Sequence, residues 1–328
     1  MTSPHRPATL DDVARLADVS RSTASRVVAG TGFASPAARE RVRAAVDRLG
    51  YAPNPAARAL ARSAGVRLVV AVSGATRDVL DDPYVDRVVG AAAAACAPYP
   101  AGVVLHWLPL HDPAALGRVA EDRGVAGVVL VNTTEPLLDA IPARLRGRVA
   151  SIGIGSATVP SFDVDNAGGA SQIVHHLYAS GRRRIAMVTG PRWLSCAGRS
   201  VGAYRRIMRA AGLPVRLVTG DFTAARGRAA AGELLARWPD TDAVFAVSDL
   251  TALGVIAGLR ETGVRVPGDV AVAGFDDIPH AALSSPGLTT ASHPVGPIAA
   301  AAATAVLEGR PVAPVTSFPS TLVRRTSA

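Results

Sequence analysis

TLDDVARLADVSRSTASRVV, running from Thr9 to Val28, reads as two short helices joined by a tight turn. Thr9 is placed to cap the first helix, with Asp12 three residues on completing a capping box. Val13, Leu16 and Ala17 recur at helical spacing, and Ala14 is small enough to let a second helix approach. Asp18 takes the turn position that glycine would fill most easily, and aspartate tolerates a left-handed backbone there. Ser20 is an N-cap for the second helix, Val19 packs into the angle between the two, and Val27 supplies an inward apolar position. That second helix carries Arg21, Ser22, Thr23, Ser25 and Arg26. A helix-turn-helix sets short polar and guanidinium side chains of this kind against base edges in a major groove. An ordinary helical hairpin with a solvated arginine face is the bland alternative. A third helix opens at Ser35 with Pro36 at its first position and stops near Gly50, with Val42, Val46 and Leu49 on one face.

Charge leans the same way. The formal charge is +9, and the first 62 residues hold 10 Arg against 5 acids, while the remainder holds 25 against 21. Cationic density therefore sits where phosphate contacts would be needed. The 328 residues suffice for two or three domains. No stretch is apolar and long enough to span a bilayer, and MTSPHRPATLDD lacks the apolar centre of an export signal, so a cytoplasmic protein is expected. Cys96 and Cys196 show no metal-ligand spacing and read as reduced thiols.

From Arg67 onward, short apolar runs alternate with amphipathic segments. Strands are expected at Leu68–Val72, Val103–Leu108, Gly127–Val131, Ala150–Ile154 and Ser161–Val164, then at Ile185–Thr189, Val215–Thr219, Ala243–Val247 and Val270–Ala273. Helices are expected at Asn166–Ser180, Gly202–Ala211, Thr223–Trp238 and Leu250–Thr262. Two such series predict two lobes, each a parallel doubly wound α/β sheet. Ligands of open α/β sheets bind beyond the carboxyl ends of the strands. The candidates there are Ser73, Asp82, Tyr84, Asn132 and Arg199, then Asp221 with Phe222, Ser248 with Asp249, and Asp276 and His293. Carboxylates and amides accept hydrogen bonds from hydroxyls, while an aromatic face covers the apolar side of a sugar ring. Asp249 serves equally as a helix cap, Asp277 reads as structural, and Trp193 either lines the cleft or packs at its rim. Enzyme motifs are missing: no strand enters GxGxxG, and there is no P-loop and no GxSxG elbow. His175 and His176 are adjacent and diverge on a helix, where a metal pair needs a spacing of three or four. No cofactor is expected.

After Gly50 comes YAPNPAARALARS, where Asn54 is able to cap and Pro55 to start one more short helix. Through SRSTASRV, SPAARERV, LGYAPNPAA and RALA, the segment Thr9–Arg62 resembles the lac repressor and galactose repressor (LacI/GalR) family of bacterial transcription regulators. FDVDNAGGA, GRRRIAMVTG, SDLTALG, RVPGDVAVAGFDD and LTTASHP extend the resemblance to an effector-binding core with the periplasmic sugar-binding protein fold. The resemblance implies base readers at Arg21, Ser22 and Arg26, with Thr9, Ser20, Thr23, Ser25, Asn54 and Ala57 completing the DNA-contacting set. It implies a minor-groove wedge at Leu60, on a hinge helix too short to persist alone. It places Phe222 as the pocket aromatic and Asp276 as the acid meeting a ligand hydroxyl. Ala29, Ser248 and His293 stand where members often have Asn, Asn and Gln. The implied organisation is an all-α headpiece (1–52), a hinge (53–65) and a core (66–328). Lobe 1 spans about 66–162 plus 293–318, and lobe 2 about 163–292 plus 319–328. The implied function is a ligand-responsive regulator, a repressor, binding a pseudo-palindromic double-stranded operator as a homodimer under control of a sugar or nucleoside. A solute-binding protein without DNA activity is the alternative.

Overall fold

The computed structural model describes residues 9–29, 34–51, 66–112, 114–195 and 197–328. The chain divides into two compact units between Gly65 and Val66. Asn54, Ala57 and Leu60 lie outside the described residues, as does Cys196.

In the first unit, capping sets where helices begin. Helix α1 (Leu10–Leu16) starts where Thr9 Oγ1 accepts from the Asp12 amide at 3.3 Å and the Asp12 carboxylate accepts from the Thr9 amide at 2.9 Å. The turn then passes through Asp18 at φ 49°. Helix α2 (Arg21–Ala29) starts where Ser20 Oγ accepts from the Thr23 amide at 3.2 Å. Helix α3 (Pro36–Leu49) is capped by Ser35 and closed by Gly50 at φ 57°, a left-handed position that costs glycine nothing sterically. Val13, Ala14, Ala17, Ala24, Val42 and Ala45 form the core, with Val19, Val27, Val46 and Leu49 packed round it. Leu16 departs from expectation and is 42% exposed. Val13, Ala14 and Ala17 centre the buried stripe, and at about 100° per residue Leu16 lies roughly a quarter-turn off it.

The second unit holds two six-stranded sheets. The first is built from β1 (Val66–Gly74), β2 (Ala101–Pro109), β3 (Val125–Val131), β4 (Val149–Ile152) and β5 (Ser161–Val164). The second takes β6 (Ile185–Thr189), β7 (Arg216–Thr219), β8 (Ala243–Ala246), β9 (Ala271–Asp276) and β10 (Thr289–Ser292). Strand β11 (Val315–Phe318) returns to the first sheet and β12 (Leu322–Val323) to the second, giving the orders β11-β5-β4-β3-β1-β2 and β12-β10-β9-β8-β6-β7. Every pairing is parallel except β10 with β12. Val69, facing Val104 and Val128, and the fully buried Val70 and Val72 typify strands covered on both faces.

Each expected strand has a counterpart; β9 runs on to Asp276. Strands β10 to β12 escaped the sequence reading: TTAS is small and polar, and VTSF shows an alternately exposed edge. Helices α4 (Pro83–Cys96), α5 (Ala115–Glu121) and α6 (Glu135–Asp139) belong to the first lobe. In the second, α7 (Asn166–Ala179) and α8 (Ala197–Ala210) cover one face, and α9 (Ala224–Arg237) and α10 (Asp249–Glu261) the other. Helix α8 begins five residues before the expected Gly202. A short α11 (Pro279–Leu283) precedes β10, and α12 (Val295–Glu308) packs against α4 on the first sheet. Its run of alanines offers no polar stripe to read. The chain therefore passes between the lobes near 165, at 293–294 and at 319–321. Hydrogen bonds tie these passages together, with the Asp165 backbone N–H donating to Phe318 O at 2.8 Å and the Ser320 side-chain Oγ–H to Ser292 O at 2.7 Å.

Candidate functional site

Two surfaces carry the candidate residues, one in each unit. On α2, Arg21, Ser22, Ser25 and Arg26 are exposed, while Ala24 is buried against α1 and α3. The i, i+4 pairs 21/25 and 22/26 form one outward face. Its arginines are lightly held. Arg21 Nε meets the Asp11 carboxylate at 2.9 Å with both side chains exposed, and Arg26 Nε–H donates to Ser22 O at 3.2 Å. Exposed pairs contribute about 0–1 kcal/mol, so either guanidinium is easily released. Thr9 and Ser20 are occupied as caps, and Ser20 Oγ also bonds the hydroxyls of Ser22 and Thr23 at 2.9 and 2.8 Å. Arg41, which sequence reasoning passed over, donates to Ala17 O at 3.1 Å and closes α1.

The second surface is a cleft between the lobes of the core unit. Its inner cavity encloses about 600 Å³ with its mouth included. Asp82, Tyr84 and Asp163 line it from the first lobe, Phe222, Ser248 and Asp276 from the second, and His293 from a passage between them. His293 Nδ1 lies 3.0 Å from Asp276 Oδ1, its ring centroid 5.0 Å from Tyr84 and 6.2 Å edge-on from Phe275. Its Nε2 is buried and has no partner among the described residues. Burial pushes the imidazole down to about 4, against the pull of Asp163. Burial, reinforced by the charge of Asp82, holds the Asp276 carboxyl well above the usual aspartate range, with Arg87 opposing. The pair is thus a neutral imidazole beside a carboxyl that resists ionising, and Nε2 is left to bond whatever enters.

Asp163 is held at 2.6 Å by Arg199 and at 3.3 Å by Asn166, and it accepts from the Val164 amide at 2.8 Å. Burial raises its carboxyl and Arg199 counters it. Asp82 caps α4 through the Tyr84 amide at 2.9 Å, and burial raises its carboxyl as well. Arg87 on α4 reaches across to the carbonyls of Asp276 at 2.9 Å and His293 at 3.0 Å, so a first-lobe helix grips the second-lobe wall by its backbone. Asn132, Phe222, Asp276 and Asp277 all have positive φ, at 56°, 74°, 108° and 48°. For a residue as bulky as Phe this costs about 1–3 kcal/mol and persists only where the surroundings impose it. Gly190 shows part of that imposition: a Cβ there would meet Phe222 Cζ at 2.8 Å, so the ring lies where only glycine leaves room.

Other candidates stand differently. Asn132 and Trp193 line an outer cavity that shares Asp82 and Phe222 with the inner one. Ser248 lines the inner cavity but also caps α10. Asp249 is fully buried away from it, accepting from Thr290 Oγ1 at 2.6 Å and the Ile278 amide at 2.9 Å; it is neither the cap nor a wall. Burial and the neighbouring Asp276 push its carboxyl up to about 8. Ser73 is buried beneath the cleft, its carbonyl accepting from Asn132 at 3.3 Å. Arg199 is turned to Asp163 instead of the cavity. Asp277 pairs with Arg325 at 2.6 Å, a structural role as expected. Asp163, Asn166 and Arg87 were missed. The first two lie in FDVDNAGGA at the end of β5, where the strand-end rule would have found them; Arg87 gives no local signal. Among the described residues no group of three or more His, Cys, Asp or Glu is placed to hold a metal ion.

Residues 9–54 match the family described as bacterial regulatory proteins, lacI family, and residues 174–328 match the periplasmic binding protein-like domain. The chain is 38% identical over 300 residues to the HTH-type transcriptional regulator CelR of Thermobifida fusca, covering 88% of each. A solved CelR–cellobiose complex superposes with a TM-score of 0.70 at 31% identity, over 98% of this chain and 100% of that one. The lac repressor dimer bound to operator and the anti-inducer ONPF superposes with a TM-score of 0.74 at 26% identity, over 98% and 99%.

Proposed function

The chain belongs to the lacI family of bacterial regulatory proteins, a family of DNA-binding transcription regulators, and on that premise we propose that it is a homodimeric, cytoplasmic repressor whose hold on its operator is set by a neutral sugar in the interlobe cleft. Arg21, Ser22 and Arg26 read base edges in the major groove, where an arginine paired with guanine discriminates by about 1–3 kcal/mol. Two-fold symmetry of the protein matches a pseudo-palindromic site. Hinge residues Asn54, Ala57 and Leu60 add the minor-groove contacts.

One observation carries the coupling: the cleft's polar groups stand at the passages between the lobes. Asp163 is two residues from the first, and His293 is itself on the second. A sugar that bonds His293 Nε2, Asp163 and Asp276, with Phe222 against its apolar face, therefore bears on the segments about which the lobes turn. The cellobiose of the CelR complex and the dimeric, operator-bound state of the lac repressor structure support the sugar and the dimer. Selection of duplexes from a random pool by the full-length protein tests the DNA reading. A selected duplex is expected to bind at least roughly 1,000-fold tighter than bulk DNA, with affinity falling steeply as salt rises. Equal affinity for selected and random duplexes contradicts it.

A further inference from the structure

Beside the inner cavity lies a second, outer one of about 1240 Å³ with its opening included. Asp82 and Phe222 line both, so the two spaces adjoin at that pair. The outer walls are the 74–82 segment and Asn132 from the first lobe, facing Pro191, Trp193 and Asp221 from the second.

The chain has three tryptophans, and two are committed. Trp107 donates Nε1–H to Gly74 O at 3.2 Å and carries Arg77 over its ring at 5.3 Å, bracing the first-lobe lip. Trp238 is covered by Arg237 at 4.3 Å and Arg216 at 5.9 Å. Trp193 is half-buried in the cavity wall, yet among the described residues its indole N–H makes no hydrogen bond and its ring has no aromatic or cationic partner. A large, costly aromatic left without a partner in a concave wall is the arrangement by which binding sites cover the apolar face of a ring.

The polar groups of the outer cavity narrow the ligand. Asp78, Asp81, Asp82 and Asp221 line it, and among the described residues no arginine does. Asp221 Oδ1 accepts from the Thr223 amide and hydroxyl at 2.9 and 2.7 Å, and Asp78 Oδ2 from Thr76 at 3.1 Å, so each carboxylate keeps one oxygen for hydroxyl donors. Such a wall accepts from neutral polyols and repels anions. Asn132 and Phe222, both held at positive φ, fix the rim from opposite lobes.

We infer that the cleft is two subsites in line, the inner one for a terminal sugar unit and the outer one, floored by Trp193, for the next, so that the effector is an uncharged oligosaccharide of at least two units. This rests on the sugar reading of the cleft given above, and it goes further by fixing length and charge. A monosaccharide leaves the indole uncovered, whereas a phosphorylated or uronic counterpart meets four carboxyl groups.

Calorimetry on the full-length protein tests this with mono-, di- and trisaccharides of β-1,4-glucose, α-1,4-glucose, β-1,4-xylose and β-1,4-mannose. In the series that binds, the disaccharide is expected to bind at least tenfold tighter than the monosaccharide. That preference should collapse toward unity in Trp193→Ala and be partly kept in Trp193→Phe, with thermal melts confirming that both variants fold. Tryptophan fluorescence of the wild type should shift on adding the disaccharide, and the shift should vanish in Trp193→Phe. A phosphorylated form of the same disaccharide should bind at least tenfold more weakly than the neutral one. A monosaccharide as tight as its disaccharide, or a Trp193→Ala loss equal for both, overturns the outer subsite while leaving the sugar reading intact. Binding of the phosphorylated form as tight as the neutral one overturns the charge assignment. Failure of every saccharide to bind overturns the sugar reading, and the subsites with it.

Discussion

The headpiece face and the cleft are built on opposite plans. On α2 the functional side chains are exposed, and each polar contact reaches only a few residues along the chain or to the adjacent helix. Ser20 with Thr23 is three residues apart, Arg26 with Ser22 four. In the cleft, contacts bridge 36 residues from Arg199 to Asp163 and 206 from Arg87 to His293. The difference follows from what each must recognise. A polyanion is met by cations that stay hydrated and free to pair, so the helix need only be positioned. A small polar ligand is met by groups already desolvated and fixed, which demands a folded frame round them. The cleft accordingly holds residues at positive φ in Asn132, Phe222 and Asp276, whereas among described headpiece residues only Asp18 of the turn is a non-glycine at positive φ.

If the two plans are separable, substitutions in one should be silent in the other. Arg26→Ala should weaken binding to a selected duplex by about 1–3 kcal/mol, up to roughly 100-fold, while sugar affinity measured by calorimetry stays as in the wild type. A change in sugar affinity of the DNA-free protein would mean that the headpiece face and the cleft are not independent. Arg87→Ala removes two charge-assisted bonds to the carbonyls of Asp276 and His293. It should cost roughly tenfold in sugar affinity, about 1.4 kcal/mol, and leave the ligand-free protein's duplex affinity unchanged in fluorescence anisotropy.

Asp249 sharpens the contrast through pH. Its carboxyl is pushed from 3.8 up to about 8, first by burial and then by Asp276. A raised value means that the folded core prefers the protonated form. That contribution is therefore full below about pH 4 and is lost as pH rises through 8. Thermal melts of the core transition should fall by roughly several degrees between pH 5 and 8, and Asp249→Asn should flatten this slope. The smallest effect belongs to the headpiece: Asp11→Ala breaks the exposed pair with Arg21 and should shift stability by less than about 0.5 kcal/mol, measured by chemical denaturation.

The same difference in range explains what could be read from the residues alone. Thr9 with Asp12, Ser20, the left-handed Asp18 and the Ser35–Pro36 start of α3 are encoded within a few positions, and the structure reproduces them. Leu16 misled because seven residues do not define a stripe sharply. Strands with buried faces on both sides were evident from their apolar runs. By contrast, β10 to β12 and α12 owe their places to partners far off in the chain. In the cleft, strand ends pointed to Tyr84, Phe222, Asp276 and His293, which the fold brings round one cavity. They also pointed to Asp249, whose carboxylate turns to Thr290 and Ile278 in the packed interior instead. Only the three-dimensional pairing separates a wall residue from one behind the wall, and Arg87, acting through backbone carbonyls, leaves no pattern at all.

Sugar in the cleft and duplex on the headpiece should influence one another, and fluorescence anisotropy of a selected duplex with full-length protein measures that coupling. Cellobiose, maltose, xylobiose and mannobiose are added in turn at fixed salt, with calorimetry identifying which of them binds. The disaccharide that binds should change the duplex Kd by at least about fivefold, leave random-sequence DNA unaffected, and lose its effect in Phe222→Ala. A duplex Kd that stays constant while calorimetry shows the cleft saturated would mean that the cleft does not control the headpiece.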